Sequence, residues 1–500
     1  MALVFALLNF AFLSWLVVRS IKTSSLTFFF WVGLLVPFGM PAIYDSIVAP
    51  IQSSPEVVFS AILYAIYLNI VVAATMFFVS HFVLSRNKSE YRFGRPLMGA
   101  KVSDNRSPAG VAEGAGPVNG WTREKPLAEL ISGRNIPQPF LRVLLVVQLV
   151  GFMLIALDIS RATGKPFWHT YNMHWHIVAF EERGPFMTLG SYLSILGASL
   201  CTVAWLQRRW LFFFGSVLIA IMICLTTGAR YLIIPALMPV IFVALVKKME
   251  YKKLIGLTLV GFAMALLIYQ IQTLRWLNDR RLVRLFDPEA VSFSLQRIKE
   301  AFGGGGGAGE FDLRFGYYFY FEHIPSEMPF ANGQTYLRIL MMPLPGFLVP
   351  GIKPRELTQV LCELRYGASS AEGSTDHPLF YGETWANSGL FGALIGIFWG
   401  TLFALLDWWF RKRHVCEQVL LLSPIAAFMV FLARGAVYSS SGFLFVGGAI
   451  GLLISGVWYR GFVKSAKRST TLLVGTSASL RAKLGVRKTV GGRHVSGRVQ

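Results

Sequence analysis

The chain has 500 residues, of which 54% are hydrophobic and 15% are charged, and its formal net charge is +21 at pH 7. This composition excludes a water-soluble globular protein of this size and predicts an all-α polytopic membrane protein. The four cysteines show no spacing that indicates a disulfide framework or a cysteine-based metal site.

Apolar runs long enough to cross about 30 Å of hydrocarbon recur along most of the chain. From them we predict about eleven transmembrane helices. The first run has no basic residue before it and Arg19 and Lys22 after it, which is the opposite of a signal peptide, so we expect it to be retained. The approximate spans are 2–18, 26–48, 57–84, 139–158, 186–206, 210–226, 231–246, 254–273, 384–407, 417–433 and 441–459.

Lysine and arginine collect in alternate loops of this topology. The positive-inside rule assigns those loops to the cytoplasm, which places the N-terminus in the periplasm and the C-terminus in the cytoplasm. The basic tail is explained by orientation and by attraction to anionic lipid, and we do not expect nucleic acid as a partner. The basic segments are Arg19 and Lys22, 86–134, Arg208 and Arg209, 247–253, 411–413, and the residues after 460.

Four regions follow from this pattern. The loop at 272–383 is the longest outer segment, and its closely alternating aromatic residues, prolines and charges predict short helices and turns that rest on the bundle. Its glycine run, Gly303–Gly307, lacks the Gly-Lys-Ser/Thr ending of a phosphate-binding loop. The regions are an N-terminal bundle of helices 1–8 at 1–271 with a flexible cytoplasmic loop at 85–138, the periplasmic loop at 272–383, helices 9–11 at 384–459, and a cytoplasmic tail at 460–500.

Arginines are dense on the predicted outer face, where the positive-inside rule disfavours cations. Arg230, in LTTGARYLIIPALM, lies at the outer end of a tight helical hairpin, where it either snorkels to the interface or binds an anion. A guanidinium makes bidentate bonds to phosphate oxygens that a lysine cannot make, which favours a lipid-linked diphosphate, with plain headgroup binding as the rival. The other arginines are Arg275, Arg280, Arg281, Arg284, Arg314, Arg338 and Arg434.

Carboxylates and imidazoles in the same region are candidate general bases for a sugar hydroxyl, although each could equally cap a helix or form a structural hydrogen bond. Tyrosines and tryptophans of the outer loops, such as Tyr317, Tyr318, Tyr320 and Tyr336, could stack on sugar rings or form an interfacial belt. The candidate bases are Glu322, His323, Asp376, His377 and Glu383.

Two further patterns concern packing and metal binding. Gly392, Gly396 and Gly400 recur every fourth residue and predict a helix face against which another helix packs closely. His169, His174 and His176 are metal-like in composition but lack the i, i+4 spacing of ligands on one helical face, so we expect no metal.

Three segments resemble the oligosaccharide repeat-unit polymerases, the Wzy-type O-antigen polymerases. The second segment has a Gly-x-x-Tyr, Pro-x-Pro, Lys-Pro pattern, and the third has Gly-Glu-x-x-x-Asn-x-Gly-x-x-Gly at a helix start. The two Arg-x(10)-Gly loops of some relatives are not evident, and the first five helices match in hydropathy alone. The segments are TTGARYLIIPALM at 226–238, NGQTYLRILMMPLPGFLVPGIKP at 332–354 and HPLFYGETWANSGLFGALIGIFWG at 377–400.

The resemblance implies a GT-C-like bundle and a glycosyltransferase that moves a growing glycan from undecaprenyl diphosphate onto a new lipid-linked repeat unit at the outer face of the bacterial inner membrane. It implies no cofactor, and its partners are the lipid-linked donor and acceptor, with a chain-length regulator and a flippase beside them. For this reaction we expect Glu383 or His377 to be the base or acceptor-orienting group, and Arg230 and Arg338 to stabilise the leaving diphosphate. We expect diphosphate or sugar binding by Arg275, Arg280, Arg284, Arg314, Arg434, Tyr336 and Asn387.

Two alternatives remain open at the level of sequence. An O-antigen ligase that passes finished glycan to another acceptor would share the arginines, the lipid donor and the large outer loop. A flippase or transporter would instead predict charged residues along several mid-membrane helices and weak internal symmetry.

Overall fold

A computed structural model of the chain describes residues 1–48, 53–84, 136, 138–164, 166, 185–227, 233–246, 266, 270, 286–302, 313–342, 352–367, 376–413 and 415–457. Within these ranges every regular element is helical and there are no strands, as the sequence predicts. The helices are α1 (Ala2–Thr23), α2 (Phe28–Asp45), α3 (Pro55–Val83), α4 (Gln138–Thr163), α5 (Pro185–Leu206), α6 (Trp210–Thr227), α7 (Ile234–Val246), α8 (Pro288–Phe302), α9 (Leu313–His323), α10 (Gln334–Leu340), α11 (Leu357–Tyr366), α12 (Leu379–Ser388), α13 (Gly392–Arg411), α14 (Val415–Ala433) and α15 (Val437–Val457).

Seven helical segments in the described part of the chain are long and apolar enough to cross a membrane: α1, α2, α3, α4, α5, α15, and α12 together with α13. Helices α6, α7 and α14 are apolar but shorter. The predicted span at 254–273 lies outside the described residues apart from Leu266 and Gln270. The chain is therefore a multi-pass helical membrane protein, and the number eleven and the GT-C-like arrangement stay predictions.

Two helices begin earlier than their hydropathy indicates. The spans predicted at 384–407 and 441–459 start at Leu379 and Val437. Their first turns carry polar residues such as Glu383 and Ser440, which are buried within the protein. Hydropathy excludes such residues from a span because it assumes that every residue of the helix faces lipid.

Residues typical of helix N-termini cap the start of α3. The Ser54 hydroxyl accepts a hydrogen bond from the Val57 backbone N–H at 3.3 Å, Pro55 occupies the first turn, and Glu56 lies at the positive end of the helix dipole.

The glycine face predicted on α13 packs against α3. A Cβ atom at Gly396 would lie 2.9 Å from a methyl group of Val71, and one at Gly400 would lie 2.6 Å from the backbone oxygen of Val72. Membrane helices lack a hydrophobic driving force between them, so small residues that allow close backbone approach stabilise the contact by dispersion.

Helices α4 and α5 also pack closely at glycine residues. A Cβ at Gly151 would lie 2.4 Å from the Ser194 hydroxyl, and one at Gly197 would lie 2.5 Å from the Gln148 Cβ. The buried Gln148 amide also exchanges hydrogen bonds with Ser216 of α6, at 3.0 Å and 2.6 Å. Close backbone approach and interhelical hydrogen bonds therefore fasten these three helices together.

Buried amides also join α1, α3 and α12. The Tyr381 hydroxyl donates to the Asn69 Oδ1 at 3.0 Å, and the Asn69 Nδ2 donates to the Asn9 Oδ1 at 3.0 Å. All three residues are at most 1% exposed. These mid-helix polar groups bond to one another inside the packed bundle, as polar contacts between membrane helices do.

The bundle has two chemically different ends. At the first, which we call the basic end, the Leu26 backbone N–H donates to Asp407 at 2.9 Å, and Arg411 donates to the Thr23 carbonyl at 2.9 Å. At the opposite end, α9 packs against α2 and α3, and α12 packs against α3 and α14. There α10 contacts α15, and α11 contacts α9. This second end carries the residues on which the candidate site is built.

The α3–α13 contact gives a direct test of the packing. Gly400→Ala should lower the unfolding temperature of the purified protein in detergent, because the added methyl group meets backbone, and overpacking of this kind costs about 1 to 3 kcal/mol. Gly456→Ala is the matched control, since a Cβ at Gly456 has nothing within 4 Å. Equal unfolding temperatures for the two variants would contradict the packing.

Candidate functional site

Helix α9 is part of the bundle core and does not lie on its surface. The Arg314 guanidinium forms an ion pair with Asp45 at 2.6 Å, and both side chains are at most 2% exposed. Asp45 also accepts a hydrogen bond from the Tyr318 hydroxyl at 3.1 Å, and Tyr317 donates to the Ala61 carbonyl at 2.7 Å. These bonds fix α9 against the ends of α2 and α3, and Arg314 neutralises the Asp45 carboxylate there.

The aromatic residues of α9 are core residues. Tyr317, Tyr318 and Tyr320 are each 0% exposed, so the interpretation that these rings stack on sugars is wrong. The alternation of aromatic and polar residues in RFGYYFYFEH arises because a helix embedded among other helices contacts protein on nearly all sides.

A second ion pair holds the segment before α12. Asp376 accepts hydrogen bonds from the Arg365 guanidinium at 2.9 Å and from the Tyr320 hydroxyl at 2.6 Å. Burial, followed by the nearby Asp376 carboxylate, raises the pKa of Tyr320, which keeps its hydroxyl protonated as a donor. His377 follows directly and is half-buried at the entrance to α12.

A buried polar cluster, which we call the Glu383 cluster, joins α10 to α12. It consists of Glu383, Asn387, Thr335 and Tyr336. The Asn387 Nδ2 donates to the Thr335 Oγ1 at 3.2 Å and to the Glu383 backbone carbonyl at 2.9 Å. The Ala331 N–H donates to the Ala386 carbonyl at 2.8 Å, which holds the segment before α10 against α12.

Tyr336 lies close to the Glu383 carboxylate. Burial, followed by the charge of Glu383, raises the pKa of the Tyr336 hydroxyl. Its oxygen accepts a hydrogen bond from the Trp399 indole N–H at 3.3 Å. Tyr336 therefore has a neutral hydroxyl group, and it connects the rest of the Glu383 cluster to α13.

One polar atom of the Glu383 cluster has no protein partner. Asn387 is 0% exposed, and among the described residues no donor reaches its Oδ1. A buried acceptor without a hydrogen bond costs about 1 to 3 kcal/mol.

The charged groups of the site, which belong to other segments of the chain, contact the first turn of α15, residues 437–439. The Val437 N–H donates to the Glu383 Oε2 at 3.1 Å. The Tyr438 ring lies 4.3 Å from the Arg338 Cζ and 5.5 Å from the Lys353 Nζ. The Ser439 hydroxyl donates to the Glu356 Oε1 at 3.2 Å.

Arg338 differs from Arg314 in its partners. Its Nη1 donates to the Pro354 carbonyl, its Cζ lies over Tyr438, and its buried Nε has no hydrogen bond to the described residues. No carboxylate in the described part of the chain forms an ion pair with Arg338, whereas Arg314, Arg355 and Arg365 each have one. Arg338 therefore retains the charge and the donors to bind an anion.

Arg434 connects α14 to the start of α12. Its backbone carbonyl accepts the Leu379 N–H at 3.0 Å, and its half-buried guanidinium lies 5.6 Å from the Phe431 ring. The next residue, Gly435, has φ +82° and approaches Leu379 so closely that a Cβ would lie 2.4 Å from its carbonyl oxygen. This turn requires glycine.

The residues predicted from sequence therefore separate into groups. Glu383, Asn387, Tyr336 and Arg338 meet where α10, α12 and α15 join, whereas Arg314 is paired with Asp45 on α9. Arg230, Arg275, Arg280 and Arg284 lie outside the described residues.

Sequence reasoning missed Thr335, Lys353, Glu356, Tyr438 and Ser439. Lys353 and Glu356 lie in GIKPREL directly before α11, where a proline followed by charges gives a weak signal of exposed polar groups. Nothing local marks Tyr438 or Ser439, because they belong to a neutral segment, AVYSSSG, that matters through the helices it contacts.

Comparisons of the chain with protein-family models, with curated proteins and with solved structures found no match. The fold, together with the charged groups that surround the first turn of α15, defines a multi-pass helical membrane protein. Its polar, partly buried site lies at the end of the bundle opposite the basic end.

The assignment of Arg314 to the core predicts a stability effect. Asp45→Asn leaves the buried guanidinium without its counter-charge and should destabilise the protein by about 3 to 5 kcal/mol, seen as a lower unfolding temperature and less folded protein in the membrane. Glu363→Gln is the control, because it breaks the exposed pair with Arg355, worth about 1 kcal/mol or less. If Asp45→Asn unfolds at the temperature of the wild type, Arg314 has another role.

Proposed function

We propose that this protein is a polymerase that joins undecaprenyl-diphosphate-linked oligosaccharide repeat units at the outer face of a bacterial inner membrane. The observation that carries the proposal is the neighbourhood of Arg338. A guanidinium without a carboxylate partner among the described residues packs on the turn of α15 whose first backbone N–H binds a buried carboxylate. A glycosyl diphosphate needs an anion-binding group of this kind.

Two of the three segments that carry the family resemblance meet in this site. Segment 332–354 supplies Thr335, Tyr336 and Arg338, and segment 377–400 supplies Glu383 and Asn387. Their contact supports the proposal because residues far apart in the chain converge on one polar location.

Each residue has a distinct role in the proposed reaction. The hydroxyl of the incoming unit attacks the anomeric carbon of the growing chain, and the bond from that carbon to the diphosphate oxygen breaks. Arg338 stabilises the negative charge that develops on the departing diphosphate. Asn387 joins α12 to α10 through Thr335, and Glu383 keeps α12 and α15 in register.

The location of the site supports the proposed orientation. The basic end carries Arg19, Lys22 and 411–413, which the positive-inside rule places in the cytoplasm. The site at the other end would then face the periplasm, where lipid-linked units are presented.

The transporter alternative is disfavoured by three buried polar residues within the helices. Asn9, Asn69 and Tyr381 are buried and bond to one another, so they act as contacts between helices. In a transport pathway, such groups would line a water-filled cavity.

Deletion of the gene tests the function. A polymerase defect should leave surface glycan of single-repeat length on gels, together with accumulated lipid-linked units. A ligase defect would instead leave long polymer on the lipid carrier, and a transporter defect would leave single units on the cytoplasmic side, accessible only after the membrane is opened. Long modal glycan in the deletion strain would exclude the proposal.

Arg338→Ala should lower the initial rate of polymer formation about 100- to 1000-fold, since it removes a donor to the leaving group. Arg338→Lys should restore only part of the rate, because an ammonium group cannot bind bidentately. Arg355→Ala is the matched control, as Arg355 is an exposed arginine paired with Glu363 in the same segment. Equal rates for Arg338→Ala and Arg355→Ala in equally abundant proteins would show that Arg338 is not the phosphate ligand.

A further inference from the structure

We infer that Glu356, rather than Glu383, is the general base that takes the proton from the acceptor hydroxyl. The inference rests on the proposed function and assigns a catalytic role that the sequence motifs do not indicate. Two carboxylates lie beside the same turn of α15, and they differ in burial: Glu383 is 2% exposed, whereas Glu356 is half-buried.

The Glu383 carboxylate is committed to the fold. The residue is 2% exposed, and its Oε2 accepts the Val437 backbone N–H at 3.1 Å. Tyr336 packs close to it, and the Trp399 indole donates to the Tyr336 hydroxyl from the other side. Because Glu383 is buried and its Oε2 accepts the first backbone N–H of α15, we assign it the role of a positioning residue.

The Glu356 carboxylate is half-buried and only partly committed. Its Oε1 accepts two hydrogen bonds, from the Ser439 hydroxyl at 3.2 Å and from the Thr358 hydroxyl at 3.0 Å. Among the described residues no hydrogen bond reaches its Oε2. Two hydroxyl groups therefore fix the orientation of the carboxylate and leave one oxygen able to accept a proton.

The same turn contacts both the Glu356 carboxylate and the anion-binding group. Glu356 bonds to Ser439, and Arg338 lies over the ring of Tyr438, the preceding residue. Cα atoms of consecutive residues are about 3.8 Å apart. The turn thus holds a base on one residue and a diphosphate ligand on the next, as a transfer between a hydroxyl and a glycosyl diphosphate requires. Lys353, near the same ring, adds a second positive charge on the diphosphate side.

The reaction is a glycosyl transfer in which one bond at the anomeric carbon forms and another breaks. The acceptor oxygen forms a bond to the anomeric carbon, and its proton moves to the Glu356 Oε2. The bond between the anomeric carbon and the phosphate oxygen breaks, and its electron pair leaves with undecaprenyl diphosphate beside Arg338. The proton on Glu356 passes to water before the next cycle.

The test uses the full-length protein in proteoliposomes, with the lipid extract of the deletion strain as the source of lipid-linked units. Glu356→Gln keeps an acceptor for Ser439 and Thr358 but removes the base, and should lower the rate of polymer formation at least about 100-fold. Its binding of undecaprenyl diphosphate, measured as the shift in unfolding temperature, should match that of the wild type. Glu383→Gln can still accept the Val437 N–H and should stay within about tenfold of the wild type. Glu327→Gln, at a side chain that is 56% exposed, is the control.

Each outcome decides between the assignments. An inactive Glu383→Gln beside an active Glu356→Gln overturns the inference and leaves the polymerase proposal standing. If wild-type protein makes no polymer from these units, both fail. Should Glu356→Gln not fold, Glu356→Asp and Glu356→Asn replace it as equally short side chains that differ in their ability to accept a proton. The aspartate variant should be at least about tenfold faster, and equal rates would also overturn the inference.

Discussion

The hydrogen bond from the Val437 backbone N–H to the buried Glu383 carboxylate joins the two helices that carry the site. It crosses from α15 to α12, and the bond from the Leu379 N–H to the Arg434 carbonyl ties the same two regions one turn away. A buried carboxylate without a donor would be strongly destabilising, so the two helices are held in one relative position. The Asn387 contacts and the turn at 437–439 depend on that position.

The rest of the bundle provides a rigid support for this junction. In lipid, helices associate through close packing and polar contacts, because the hydrocarbon tails are as apolar as the side chains. Glycines at 396 and 400 bring α13 against α3, and the bonds between Asn9, Asn69 and Tyr381 connect α12 to α1 and α3. The helix that carries Glu383 and Asn387 is thus fastened along its length, which keeps the site geometry fixed.

Charged residues at the end of the bundle opposite the basic end serve two purposes, which composition alone does not distinguish. Arg314 and Arg365 neutralise Asp45 and Asp376, and these pairs attach α9 and α11 to the bundle. Arg338 lies on a tyrosine ring beside a second cation and has no carboxylate partner among the described residues. A buried pair is costly to break and holds structure, whereas a half-buried unpaired cation attracts anions.

The sequence by itself determined the helical membrane class, most helix positions and the glycine face of α13, because hydropathy and small-residue spacing are local properties of the chain. It also selected Glu383, Asn387, Tyr336 and Arg338, since polar residues in apolar surroundings stand out. Only the tertiary structure decided that Arg314 is a core ion pair, that the α9 tyrosines are buried, and that Glu356 and Tyr438 belong to the site. Those outcomes depend on contacts between residues tens to hundreds of positions apart, such as Asp45 with Arg314 and Glu356 with Ser439, which no local pattern encodes.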